Sequence, residues 1–242
     1  MLSVPARSES RSESLWSPLV DIAAVVAASA AGWFLEDGLR RLSVISMDES
    51  SRGFLAVVTG AIVAVIINSA RGGSLADLGF RRPRRWLTVP LWIIAIFSSY
   101  MIAQAVVPWV VSQFLYLPQP DLSRYDHYHG NASALIAFVL ILPFTASIPE
   151  EIVYRGFIMG RLIAVFGEHS AGRCLSVLVQ SLIFGAVHFQ WGPGGVLMTT
   201  LMGAVWGTAY LLCGRNLWIM ILTHSTGHIL LALQLYQTPP AV

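Results

Sequence analysis

Seven apolar runs constrain this chain more than any other feature: Leu15 to Leu35, Phe54 to Ala70, Trp86 to Val111, Ala132 to Ile148, Cys174 to Phe189, Gly195 to Cys213 and Asn216 to Leu235. A helix needs about 20 mostly apolar residues to cross the hydrocarbon core, where only helices and closed barrels satisfy their own backbone. At 55% hydrophobic and 12% charged residues, with a mean hydropathy of +0.66, the composition excludes a water-soluble domain of this size. The expected fold is all-α: a polytopic transmembrane helical bundle of about seven spans, with six to eight compatible with the pattern.

Charge placement gives an orientation. All 15 basic residues are arginine. With the N-terminus inside, Arg7, Arg11, Arg71, Arg81, Arg82, Arg84, Arg85, Arg155, Arg161, Arg173 and Arg215 fall on inner segments, and only Arg40, Arg41, Arg52 and Arg124 on outer ones. The positive-inside bias therefore predicts a cytoplasmic N-terminus in the plasma membrane. Arginines before the first run and the small residues Ala28 to Ala30 imitate a signal peptide, but Asp21 within the run and six further spans favour an uncleaved anchor.

Residues 1–14 are polar, serine-rich and without hydrophobic periodicity, and so are expected to be disordered. Residues 15–131 hold the first three spans and a basic connector, residues 132–235 the remaining spans, and residues 236–242 a short C-terminal tail. In the connector, Arg81, Arg82, Arg84 and Arg85 are placed to meet anionic lipid headgroups, a better reading than nucleic-acid binding in a membrane chain. The outer loop after the third span carries Asp126, His127 and His129, which nothing nearby completes into a ligand set. Cys174 and Cys213 lie at span ends and read as apolar filler rather than a disulfide.

Against this background a few polar residues stand out: Glu150, Glu151, Arg155, His188, His224 and His228. A charged side chain at the bilayer centre costs about 2.5–3.5 kcal/mol on insertion scales, so these groups must pair, line a cavity or carry function. Glu151 and Arg155 stand at i and i+4 in the favourable order for an ion pair, whereas Glu150 is rotated about 100° away and keeps its carboxylate. A structural alternative exists: Ser147 and Glu150 have capping-box spacing and Pro149 suits a first turn, so Glu150 could cap a helix beginning here. The stretch alone leaves both readings open. Three histidines tip the balance: His188, one turn after Phe184, and His224 with His228 one turn apart. Glutamate with several histidines is the composition of a water-activating acid–base site or of a metal site.

These residues resemble a known family. Glu150 to Arg155 (EEIVYR) is similar to the EExxxR motif, Phe184 to His188 (FGAVH) to FxxxH, and His224 to His228 (HSTGH) to HxxxN/D of the CAAX prenyl protease-type intramembrane endopeptidases, also called CPBP or Abi proteins. His228 stands where the family has Asn or Asp. The resemblance implies a CAAX protease-like catalytic domain at 132–235 with its active site in a membrane cavity, cleaving peptide or membrane-protein substrates. It implies that Glu150 activates water with His188 assisting, that His224 and His228 stabilise the oxyanion, and that Glu151, Arg155 and Phe184 are supports. A metalloprotease, with Glu150, His188 and His224 holding a divalent metal such as zinc, is the open alternative within the family. Outside it, intramembrane acids and histidines also build proton relays, so a proton-coupled transporter or a non-proteolytic membrane partner is the competing reading.

Overall fold

The computed structural model describes residues 16–45, 51–237 and 239. The expected disordered tail at 1–14 lies outside the described residues. Among those described, the apolar runs form α1 (Trp16–Arg41), α2 (Phe54–Ala70), α3 (Val89–Ser112), α4 (Ala132–Phe166), α5 (Ser170–Ala186), α6 (Gly192–Leu212) and α7 (Leu217–Gln237). Of these, five are long and apolar enough to cross a membrane, while α2 and α5 have 17 residues each. The chain is thus an all-helical polytopic bundle. Its outer surface is apolar: Ile62, Ile66, Ile94, Ile102, Ile136, Leu140 and Phe144 are all more than half exposed, as expected where lipid is the solvent.

The sequence places the end of the fourth span at Ile148, and the structure corrects this. α4 runs on for 35 residues to Phe166. At 1.5 Å per residue that is about 50 Å, well beyond the ~30 Å hydrocarbon core. Asn131 starts it, its side-chain oxygen accepting from Ala134 N at 3.1 Å. Two prolines, Pro143 and Pro149, lie inside it, and each removes a backbone donor that an α-helix would use. The helix continues past them by widening into π-helical turns at Pro143–Ser147 and again at Ile152–Ile158. Single π turns of this kind frequently mark functional sites. Glu150 and Glu151 therefore sit in the middle of a continuous helix rather than in its first turn.

α4 is also the central helix, packing on α1, α2, α5 and α7. Phe157, Ile158, Leu162 and Phe184 fill the space between α4 and α5, with Val25 and Ala64 reaching in from α1 and α2. A second cluster around Met159, Trp206, Tyr210, Leu217 and Met220 joins α4, α6 and α7. α5 and α6 approach closely because Gly203 lets the backbones meet; a Cβ there would lie 2.9 Å from Ser181 Cα. Gly207 and Gly156 are likewise packed, whereas Gly160 faces open space and needs no close-packing explanation.

Polar ties lock the ends. Asp21, buried on α1, accepts from Arg71 at 2.8 Å and meets Arg161 of α4 at 3.0 Å, so α1 belongs to the bundle. Asp21→Asn is expected to lower stability by about 1–3 kcal/mol, the cost of unpairing partly buried charged donors, measurable as a fall in melting temperature in detergent. The basic connector is pinned at Gly79, whose oxygen accepts from Leu217 N at 2.8 Å. Its φ of +100°, and the 2.8 Å that would separate a Cβ there from Arg215 O, leave room only for glycine. Both cysteines are free thiols.

Candidate functional site

The middle turns of α4, the end of α5 and the middle of α7 bring these acids and histidines together. Glu151 and Arg155 are both fully buried and form the expected i, i+4 pair, Arg155 Nη1 donating to Glu151 Oε1 at 3.1 Å. The same carboxylate oxygen also accepts from His224 Nδ1 at 2.8 Å. Glu151 therefore holds α7 as well as Arg155. The guanidinium lies over the Phe184 ring at 4.6 Å, and that ring also meets Tyr154 edge-on at 4.9 Å and His188 at 4.8 Å. Phe184 thus lies between the arginine and the histidine.

Glu150 is different. Its side chain is 16% exposed, and it accepts no hydrogen bond from any described residue. His224 Nε2 lies 3.8 Å from its Oε2. The capping-box alternative fails here: Ser147 has helical φ and ψ of −56° and −50° and makes no cap hydrogen bond. Its hydroxyl reaches across to α7 instead, 2.9 Å from His228 Nδ1.

The hydrogen-bond partners sort the imidazoles. His188 Nδ1 lies 2.7 Å from the Phe184 carbonyl, which can only accept, so Nδ1 carries the proton and Nε2 keeps its lone pair. His224 Nδ1–H donates to the Glu151 carboxylate in the same way and turns Nε2 toward Glu150. His228 stacks on His224 with ring centroids 4.5 Å apart.

The donor set does not fit a metal. Among the described residues no group of three or more His, Cys, Asp or Glu is arranged to hold an ion, and that includes Glu150, His188 and His224. A zinc ion needs three such atoms converging within about 2.0–2.2 Å of one point. Here Glu150 and His224 face each other, and His188 does not complete the set. The metalloprotease alternative and its zinc are therefore not carried further.

Two neighbours of the site were not legible in the sequence. Trp191 lies 5.1 Å from the His188 ring, and Tyr125, from the loop between α3 and α4, lies 6.4 Å from Trp191. That loop turns Tyr125 and Tyr128 inward against Phe138 and Ala232, while Asp126, His127 and His129 face outward. Burial holds the Tyr125 phenol above its usual range. An apolar groove of about 350 Å³ runs between α2 and α4, lined by Ile62, Ile66, Phe144, Pro149 and Ile152 among others; Glu150 and the histidines are not in its walls.

Residues 132–230 match the family model described as type II CAAX prenyl endopeptidase, Rce1-like. No curated protein and no solved structure matches the chain.

Proposed function

We propose that the chain is an intramembrane endopeptidase whose reaction depends on Glu150, since residues 132–230 match the family model of type II CAAX prenyl endopeptidases. The supporting observation is the contrast between adjacent carboxylates: Glu151 is fully buried and doubly bonded, whereas Glu150 is partly exposed, unbonded and faces an imidazole. A water held between Glu150 and His188 Nε2 loses its proton to the carboxylate as it attacks the scissile carbonyl. His224 and His228 then meet the oxyanion, and the proton on Glu150 passes to the leaving amine. Glu151 and Arg155 hold His224 in place throughout.

The substrate class follows from the setting. A site on helices with lipid-facing apolar exteriors receives peptide segments that are themselves membrane-associated. The test is to reconstitute purified protein and follow peptide fragments by mass spectrometry. New peptide termini support the reading. Proton-linked uptake of a solute into the vesicles without any new termini would contradict it.

Two finer proposals concern the membrane. The protein sits in the plasma membrane with its N-terminus in the cytoplasm, an orientation that survives removing Arg155 from the charge comparison, since that residue is buried inside the bundle. Arg81, Arg82, Arg84 and Arg85 bind anionic headgroups, each contributing about 1 kcal/mol. Replacing all four with Gln should strip co-purifying anionic lipid, as read by native mass spectrometry, while leaving zwitterionic lipid in place.

A further inference from the structure

Ser147 is the polar residue of the site that takes no part in the proposed reaction. It is completely buried. Buried hydroxyls in these helices normally donate to the carbonyl four residues earlier: Ser176 to Gly172 at 2.8 Å, Ser181 to Val177 at 2.6 Å, Thr199 to Gly195 at 2.8 Å and Thr223 to Ile219 at 2.7 Å. Ser147 does not. Its place at the end of the π turn Pro143–Ser147 changes the register of the carbonyls before it. The hydroxyl is left with one partner among the described residues, His228 Nδ1 at 2.9 Å.

That single partner decides the tautomer. If His228 donated from Nδ1, the buried Ser147 O–H would have no acceptor, at a cost of roughly 1–3 kcal/mol. If Ser147 donates, Nδ1 accepts with its lone pair, and the imidazole proton sits on Nε2. His228 is then the opposite of His188 and His224, whose Nδ1 atoms both face acceptors. His188 offers an Nε2 lone pair, and His228 offers an Nε2–H.

We propose that Ser147 is a positioning residue that fixes His228 as a hydrogen-bond donor through Nε2, so that the Ser147–His228 couple takes the place of an asparagine amide. The role in the reaction rests on the endopeptidase reading; the tautomer does not, and the two are tested separately. In full-length protein labelled with ¹⁵N-histidine, the His228 signals are those lost in His228→Asn. They should show an unprotonated, accepting Nδ1 and a protonated Nε2, and Ser147→Ala should convert them toward the Nδ1–H form. An Nδ1–H tautomer in the wild type, or one unaffected by Ser147→Ala, overturns the proposal.

The catalytic part is read by a double-mutant cycle. Ser147→Ala should lower kcat by roughly 10- to 100-fold with little change in KM, less than the ~10²–10³-fold of removing an oxyanion donor outright. Ser147→Thr, which keeps the hydroxyl, should restore most of the rate. In a His228→Asn background, Ser147→Ala should cost nothing further. An equal loss in both backgrounds would mean that Ser147 acts only through packing, and the proposal fails. A chain that cleaves nothing but shows the Nε2–H tautomer overturns the endopeptidase reading and supports the Ser147 assignment.

Discussion

Glu150→Gln should reduce peptide cleavage by about 10²–10⁴-fold while leaving the melting temperature nearly unchanged. The substitution keeps the shape of the side chain and removes only its ability to take a proton. Stability should hold because Glu150 makes no hydrogen bond with any described residue, and His224 Nε2 lies 3.8 Å from its carboxylate. The loss should appear in kcat, since a general base acts in the transition state and contributes little to ground-state binding. Glu151→Gln separates the neighbouring carboxylates: it weakens the bonds to Arg155 and His224, and so should cost stability as well as rate. Equal melting temperatures for the two variants would contradict the division between them.

The second large effect is on the fold. Arg155→Ala leaves Glu151 fully buried without its cation, and breaking a buried pair from one side costs about 3–5 kcal/mol. For a chain of this length that corresponds to a fall of roughly 6–20 °C in melting temperature. Lost packing adds to it, because the guanidinium also covers the Phe184 ring at 4.6 Å. Pairing Arg155→Met with Glu151→Gln removes both charges and should recover a large part of the stability, though not the activity, because His224 loses its carboxylate partner. If the double variant were as unstable as Arg155→Ala, the ion pair would not be the source of the effect.

What was legible in the sequence is what depends on short range. The helices follow from apolar runs, and the Glu151–Arg155 pair follows from i, i+4 spacing that survives the π turn between them. The same logic sets Glu150 apart. Long-range partners were not legible: Ser147 and Glu150 have the spacing of a capping box, yet Ser147 bonds to His228 on another helix. The available signal was the pair of prolines, Pro143 and Pro149, flanking Ser147 in an apolar run. Prolines there stop an α-helix unless it widens, and widening redirects the side chains between them. Tyr125 gives no signal of its own because the polar residues around it dominate the stretch; its burial against Phe138 depends on a fold-level return of the loop over α4 and α7.

Glu150-dependent proteolysis is tested most directly by comparing peptide termini in the membrane fractions of cells carrying the wild-type chain and cells carrying Glu150→Gln at equal abundance. The expected result is a set of termini present with the wild type and absent with Glu150→Gln, lying in or beside membrane-associated segments. Identical termini in both would contradict it.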